Sequence, residues 1–253
     1  MKYTVITGAS SGIGYETALA FAARGKNLIL AARRTEELEK LKSAVADLAP
    51  ALDVVIRTVD LSVAANVYSF YDSLRGYRIE TWINNAGSGS FASVGEQNLD
   101  KVTKMLHLNI EALTVLTSLY VCDYANVEGT QLINVSSGGG YQIVGNSVAY
   151  CASKFYVSAF TEGIAQELKE KGAAMQVKVL APAATATEFI KSALDLEAFH
   201  YEGVVPKYHT AKEMAGFMLE LYDGDKVVGM VNGDTYDFEL RDPFYPYVGR
   251  SRS

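Results

Sequence analysis

The sequence predicts an α/β fold in which a parallel sheet is covered by helices on both faces. Short runs rich in β-branched residues alternate with longer stretches of helical periodicity. The short runs are almost continuously apolar, which is typical of strands that are buried on both faces. The 253 residues suffice for one large domain, residues 1–253, whose core needs neither disulfides nor metal.

Seven apolar runs are predicted as strands. They lie at Tyr3–Thr7, Asn27–Ala32, Val54–Val59, Thr81–Asn84, Gln131–Ser136, Gln176–Ala181 and Val227–Val231. Amphipathic stretches separate most of them; one helical face of residues 36–48 carries Leu38, Leu41, Val45 and Leu48. Right-handed crossovers then favour a doubly wound, Rossmann-type sheet with strand order 3-2-1-4-5-6-7.

Composition and charge exclude several classes of protein. The formal net charge is -6 and no basic block occurs, so we expect no nucleic-acid partner. We find no apolar run long enough to span a bilayer and no secretory leader, so we expect no membrane partner. Two cysteines, Cys122 and Cys151, and three histidines provide neither a disulfide framework nor a metal site. Both cysteines are interpreted as small buried side chains in a cytoplasmic protein.

A glycine-rich turn follows the first strand and leads directly into a helix. Such a turn, with free N–H groups at the helix N-terminus, is suited to a pyrophosphate. Glycines also serve turns for conformation alone, but this placement between strand and helix favours a dinucleotide site. The candidate contact residues are Gly8, Ser10, Ser11, Gly12, Ile13 and Gly14.

The end of the second strand indicates which dinucleotide is bound. An acidic residue there would bond a ribose 2′-hydroxyl, whereas an arginine accommodates a 2′-phosphate. Ala32 stands at the acid's place, Arg33 follows it, and Arg34 is a possible second contact. The alternative is that both arginines are simply solvated. The missing acid favours NADP(H) as the cofactor.

Tyr150 and Lys154 are spaced one helical turn apart, so their side chains share a helix face. A nearby ammonium can lower the pKa of a tyrosine and suit it to proton transfer. The spacing alone is common by chance. However, Ser136 ends the fifth predicted strand upstream and Ser137 follows it, at the sheet edge where open α/β proteins bind ligands. Asn109 places a polar amide within an apolar helix, where it needs hydrogen-bond partners or has a functional role.

The glycine spacing Gly8-x-x-x-Gly12-x-Gly14 and the pair Tyr150-x-x-x-Lys154 resemble the short-chain dehydrogenase/reductase family. The resemblance covers about residues 3–187 with five motifs in order. It implies that Ser137, rather than Ser136, polarises the substrate oxygen. It also implies that Asn109 kinks its helix and holds a water that relays protons from the lysine.

The same resemblance implies further cofactor contacts. Asn85, Ala86 and Gly87 match the family's turn beside the adenosine ribose, and Asp60 with Leu61 falls where the family contacts adenine. Asp60 could equally be a helix cap. After the sixth strand, Pro182, Thr185 and Thr187 are candidate contacts to the carboxamide and pyrophosphate. That stretch departs from the family, because Ala183 replaces a glycine and Thr185 replaces a valine.

Two segments lie outside the strand–helix alternation. Residues 185–208 are expected to form a substrate lid, or a pair of short packing helices, and Phe189, Leu194, Leu196, Phe199 and Tyr201 make this segment apolar. The aromatic, proline-bearing tail of residues 242–253 is expected to dock on a neighbouring subunit or to cover its own sheet edge.

Together these features predict an NADP(H)-dependent enzyme that reversibly reduces a small ketone or aldehyde, with Tyr150 exchanging the proton. The alternative is an NADP(H)-binding regulator or scaffold without turnover. Such a protein would be expected to lose one of Asn109, Ser137, Tyr150 and Lys154, and all four are present. The resemblance implies a homo-oligomer, with dimer and tetramer equally open.

Overall fold

The computed structural model describes residues 1–249. Its main sheet contains seven mutually parallel strands: β1 (Lys2–Thr7), β2 (Asn27–Ala32), β3 (Val54–Thr58), β4 (Arg78–Asn84), β5 (Gln131–Val135), β6 (Gln176–Ala181) and β9 (Val228–Val231). They are arranged in the order β3-β2-β1-β4-β5-β6-β9. Because β9 is the seventh predicted strand, the predicted order is confirmed.

The sheet has an eighth strand that the sequence analysis missed. Strand β10 (Phe238–Arg241) pairs antiparallel with β9 at the sheet edge. It has only four residues, all at least partly exposed, and therefore lacks the apolar run that marks the inner strands. Two further short strands, β7 (Thr185–Ala186) and β8 (His209–Thr210), form a separate parallel pair.

Helices cover both faces of the sheet. They are α1 (Gly12–Ala23), α2 (Thr35–Leu48), α3 (Ala64–Asp72), α4 (Leu99–Leu106), α5 (Leu113–Tyr124), α6 (Val148–Glu170), α7 (Phe189–Ala193) and α8 (Ala211–Asp223). One hydrophobic core lies under α1, α2 and α8, and a second lies under α3, α5 and α6. The sheet is therefore doubly wound, as predicted.

Two local predictions were wrong. Leu48 is exposed, because α2 ends there, although Leu38, Leu41 and Val45 of the same predicted face are buried. Cys122 is exposed on α5, whereas Cys151 is buried as expected.

A continuous helical segment joins α4, a π-helical turn (His107–Ala112) and α5. These 26 residues, Leu99–Tyr124, are long and apolar enough by composition to cross a membrane, contrary to the sequence-based expectation. The segment packs against α3, α6 and β4, and its Asn109 and Thr117 are buried. A helix that covers a sheet passes the same test, so its length and composition are weak evidence of a membrane span.

Candidate active site

A cavity of about 1070 Å³ opens at the carboxyl edge of the parallel strands. This is the edge at which doubly wound sheets bind their ligands. Two predicted site residues, Gly14 and Asn109, do not line the cavity. The predicted residues that do line it are Gly8, Ser10, Ser11, Gly12, Ile13, Arg33, Arg34, Asp60, Leu61, Asn85, Ala86, Gly87, Ser137, Tyr150, Lys154, Pro182, Thr185 and Thr187.

The turn between β1 and α1 depends on its glycines. Gly8 and Gly12 have φ values of 67° and 57°, in the left-handed region that favours glycine. Gly14 lies against the turn itself, since a Cβ there would come within 2.4 Å of both Gly8 O and Asn85 Nδ2. Asn85 Nδ2 donates hydrogen bonds to Thr7 O at 3.0 Å and Gly8 O at 3.2 Å. Asn85, which follows β4, therefore stabilises the glycine turn after β1 through these hydrogen bonds.

This turn fits the pyrophosphate of a dinucleotide. No side chain caps the N-terminus of α1, so its first amide groups are not occupied by a capping oxygen. The partial positive charge of a helix N-terminus favours phosphate. Because Gly8 and Gly12 have no side chains, the cavity wall leaves space for a phosphate close to the backbone.

Two arginines stand at the end of β2, beside the buried Ala32. Arg34 donates to Ser11 Oγ at 2.7 Å, and its guanidinium also forms an ion pair with Glu188 at 3.0 Å. Arg33 lines the cavity and makes no hydrogen bond or ion pair with any of residues 1–249. Arg33 is thus the better placed of the two to meet an added anionic group.

Asp60 serves the local turn and also lines the cavity. Its Oδ1 accepts hydrogen bonds from the backbone N–H and the hydroxyl of Ser62, at 3.0 and 2.7 Å. Burial works to raise the pKa of Asp60, but these two hydrogen bonds prevail and lower it. The alternative that Asp60 caps a helix is wrong, because α3 begins at Ala64 with Val63 as its N-cap residue and no side chain caps it.

The segment after β6 returns to the phosphate turn. The Thr187 side chain is so close to Gly12 that a Cβ on Gly12 would lie 2.9 Å from Thr187 Cγ2. Pro182 O accepts a hydrogen bond from Gly138 N–H at 2.7 Å, next to Ser137. Thr185 lies in β7 and is buried. Despite the departures from the family pattern, this segment contacts both the glycine turn after β1 and the loop that carries Ser137.

Tyr150 and Lys154 lie in the first two turns of α6, as predicted, and both are buried at the cavity wall. Lys154 Nζ donates to Val135 O at 2.9 Å and lies 6.0 Å from the centre of the Tyr150 ring. The neighbouring Ser136 hydroxyl is engaged with Lys154 O and Ser158 Oγ. Ser137 Oγ accepts from Gly139 N–H at 3.1 Å, and its hydroxyl also interacts with the Tyr150 phenol.

The charge states at this wall follow from burial. Burial raises the pKa of Tyr150 to about 12, although the nearby Ser137 hydroxyl opposes the rise. Burial also lowers the pKa of Lys154 to about 8. The expectation that the ammonium would lower the tyrosine pKa is not met, because burial dominates and the effect that opposes it comes from Ser137 rather than from Lys154. Tyr150 is therefore a phenol at neutral pH, in the state that can donate a proton.

Asn109 lies in the π-helical turn, which is a break in the α-helix of the kind expected from the sequence. Its side-chain oxygen accepts from Ser88 N–H at 3.0 Å, and its Nδ2 donates to Ser88 O and Ser153 Oγ. Asn109 Oδ1 and Lys154 Nζ both approach Gly87 closely. The amide therefore supports the wall behind the cavity.

Two aromatic rings, Phe91 and Phe189, pack against the phenol of Tyr150. Phe91 and Phe189 lie 5.6 and 5.4 Å from its ring centre, and 6.0 Å from each other. Phe189 belongs to the expected lid, which contains one short helix rather than a pair. Of the other lid residues, Tyr201 lines the cavity, whereas Leu194 and Leu196 are exposed.

Sequence reasoning missed several cavity residues. Phe91 stands in an irregular loop and carries no periodic signal. Tyr141, Phe244 and Tyr245 also line the cavity, although the last two are about a hundred residues from Ser137 in sequence. The buried partner of the tail, Glu162, lies three turns after Tyr150 on α6; an acid within this apolar-faced helix was the available signal.

Comparisons with known proteins agree with this geometry. The family model for short chain dehydrogenases matches residues 2–197. An uncharacterized oxidoreductase of Staphylococcus saprophyticus is 32% identical over 187 residues, which are 74% of this chain and 75% of that protein. The sulfoacetaldehyde reductase of Chromohalobacter salexigens is 35% identical over 192 residues, covering 73% and 72%.

Solved structures show the same fold. The short-chain dehydrogenase from Sphingobium yanoikuyae, in complex with NADPH, has a TM-score of 0.82 and 28% identity, covering 91% of this chain and 87% of that one. The bulky-bulky ketone specific alcohol dehydrogenase from Comamonas testosteroni has a TM-score of 0.79 and 26% identity, covering 91% and 86%. The chain belongs to the short-chain dehydrogenase family of oxidoreductases.

Proposed function

We propose that this protein is an NADP(H)-dependent oxidoreductase that reversibly reduces a ketone or aldehyde to an alcohol. One observation carries the proposal: the Tyr150 phenol, the Lys154 ammonium and the Ser137 hydroxyl line the same cavity as an uncapped, glycine-lined helix N-terminus. A proton donor, a cation and a dinucleotide cradle are the groups that hydride transfer to a carbonyl needs.

Each side chain has a defined role in the reduction. A bound nicotinamide supplies the hydride. Tyr150 donates its proton to the substrate oxygen, and Ser137 donates a hydrogen bond to the same oxygen and polarises it. Lys154 binds the nicotinamide ribose and stabilises the phenolate after proton transfer. Asn109 orders the relay that returns a proton to the tyrosine, and alcohol oxidation follows the same steps in reverse.

The remaining cofactor contacts are assigned along the cavity. The phosphates meet Ser10, Ser11, Gly12 and Ile13, and the loop after β6 adds Pro182, Thr185 and Thr187. Adenine meets Asp60 and Leu61. A nicotinamide dinucleotide is also the ligand named for the Sphingobium yanoikuyae neighbour, which contains NADPH.

The preference for NADPH over NADH is assigned to Arg33. With Ala32 in place of an acid, nothing at the end of β2 repels a 2′-phosphate, and Arg33 can pair with it. Arg33→Ala should weaken NADPH binding by about tenfold or more, the worth of a charge-assisted hydrogen bond, and leave NADH binding nearly unchanged. Titration calorimetry with both cofactors measures this. An unaltered preference would show that the 2′-phosphate assignment is wrong.

Tyr150→Phe tests the enzymatic proposal. The change removes the transferable proton and keeps the ring, so the rate of carbonyl reduction should fall by about 10²–10⁴-fold with NADPH affinity retained. The measurement is NADPH oxidation with a panel of aldehydes, ketones and diketones. A variant with a near-normal rate would contradict the mechanism. Tight NADPH binding without turnover of any panel member in the wild-type protein would favour the regulator instead.

The setting of the enzyme is proposed by family resemblance. We propose a cytoplasmic homo-oligomer, either a dimer or a tetramer, that acts on a small molecule without a nucleic-acid or membrane partner. Light scattering on the purified protein decides between the two assemblies.

A further inference from the structure

The described part of the C-terminal tail, residues 242–249, lies along helix α6 of its own chain, and residues 250–253 of the expected tail lie outside the described residues. Polar side chains at every fourth position of α6, Glu162, Gln166 and Glu170, form a stripe on one helix face. The backbone N–H groups of Phe244 and Tyr245 donate to Glu162 Oε2 at 2.6 and 3.0 Å. Gln166 Nε2 donates to Tyr245 O at 3.4 Å. Farther along, the tail continues to Glu170, which accepts a hydrogen bond from Tyr247 OH at 2.8 Å.

Glu162 is the buried end of this stripe. It is 0% exposed, and its second oxygen accepts a hydrogen bond from Tyr141 OH at 2.6 Å. A buried carboxylate needs such donors, because leaving it unpaired would be costly. Glu162 therefore connects the start of the tail to Tyr141, which follows the glycine turn after Ser137.

The contacts place two tail side chains at the active site. The Tyr141 ring lies 5.2 Å from Phe244 and 6.0 Å from Tyr245. Tyr245 OH donates to Gly140 O at 3.1 Å. All three rings line the cavity that contains Tyr150 and Ser137. Phe244 is still 44% exposed.

We propose that Phe244 and Tyr245 are specificity-determining residues that contact a bulky aromatic substituent of the carbonyl substrate, with Glu162 as their positioning residue. The proposal rests on the proposed carbonyl reduction. A half-exposed phenylalanine beside stacked tyrosines gains by covering its ring with an aromatic group, since both area burial and ring–ring contact are favourable. Phe91 and Phe189 also pack against the Tyr150 ring. A substrate whose carbonyl group meets the phenol therefore lies next to apolar surfaces.

Binding of a diaryl ketone tests the proposal without requiring turnover. Calorimetry is performed on the full-length protein, with and without NADP⁺. The wild-type protein should bind the diaryl ketone, and Phe244→Ala should weaken that binding by about tenfold, as expected for the loss of one aromatic contact. Phe244 is partly exposed, so this variant is expected to fold. Absence of diaryl ketone binding to the wild-type protein would overturn the tail proposal.

Kinetics and hydrogen exchange separate positioning from general damage. The ratio of kcat/KM for the diaryl ketone to kcat/KM for propanal should fall about tenfold in Phe244→Ala and in the same direction in Glu162→Gln. In Glu162→Gln the amides of residues 244 and 245 should also exchange faster, because the amide side chain accepts more weakly.

Glu170→Gln is the matched control. It makes the same chemical change two turns farther along the stripe, at a tail contact that does not line the cavity. Its substrate ratio should equal that of the wild-type protein. Equal ratios in Glu170→Gln, Glu162→Gln and Phe244→Ala would overturn the tail proposal. Loss of turnover with retained diaryl ketone binding would instead count against the proposed function alone.

Discussion

Two lysines of this chain are buried in different regions, Lys154 on α6 and Lys178 on β6. Their side chains are 5% and 2% exposed. Burial lowers the pKa of each to about 8, and for Lys178 Asp223 and Asp225 oppose the shift. By burial and pKa alone the two residues look alike.

Their hydrogen bonds distinguish them. Lys178 Nζ donates to Leu221 O, Tyr222 O and Gly224 O at 2.9, 2.9 and 2.7 Å. An ammonium has three protons, so Lys178 is saturated at the C-terminal end of α8, where the helix dipole favours a cation. Lys154 donates only to Val135 O among residues 1–249, and it borders the cavity. A functional lysine is thus recognised by donors left for a ligand, rather than by a shifted pKa.

Lys154→Met should produce the largest effect. Removing the ammonium takes away the cofactor contact and the charge that stabilises the phenolate, so kcat/KM for carbonyl reduction should fall by about 10²–10⁴-fold. Steady-state NADPH oxidation measures the loss, and circular dichroism checks that the fold persists. Lys178→Met is the matched control and should keep its activity. Equal losses in both variants would erase the distinction drawn between the two lysines.

Lys178→Met should have its effect on stability. Three carbonyl groups at the end of α8 lose their common donor, and we expect the free energy of unfolding to fall by about 1–3 kcal/mol. Urea unfolding at pH 7 measures this. A variant as stable as the wild-type protein would mean that the cost of burying the ammonium cancels its three hydrogen bonds.

The effect of pH should be smaller than the effect of the lysine substitutions. Raising the pH should lower the reduction rate and raise the contribution of the buried lysines to stability. Between pH about 8 and the ordinary lysine pKa of 10.5, a buried lysine has lost its proton in the folded state and keeps it in the unfolded state. The unfolded chain then binds more protons, so the contribution of each lysine to stability rises with pH over that range. The reduction rate, which needs the Lys154 ammonium, should fall over the same range.

Two measurements check these signs. The difference in unfolding free energy between the wild-type protein and Lys178→Met should increase as the pH is raised from about 8 to about 10. The kcat/KM for carbonyl reduction should be level at neutral pH and decline above about 8, because Lys154 loses its proton there while Tyr150 keeps its own. A flat stability difference, or a reduction rate that rises with pH, would contradict the assigned pKa shifts.

Much of the fold was predictable because its signals are local. The order of the seven parallel strands and the start of α6 next to Tyr150 follow from apolar runs, turn residues and crossover handedness. Strand β10 escaped prediction because a short, half-exposed edge strand has no apolar run. Phe189 of the expected lid contacts Tyr150, but the exposure of Leu194 depends on packing that composition does not encode.

The family and the chemical groups of the site can be read from the sequence, since the glycine turn and the Tyr150–Lys154 spacing are conformational requirements met within a few residues. Which groups are charged, and which have their hydrogen bonds satisfied, depends on the folded chain. Burial raised the pKa of Tyr150 where a neighbouring ammonium had been expected to lower it. Partners distant in sequence saturated Lys178, 46 residues from Gly224, and joined Glu162 to Phe244 across 82 residues. Desolvation and hydrogen-bond satisfaction depend on every atom nearby in space, and sequence neighbours supply few of them.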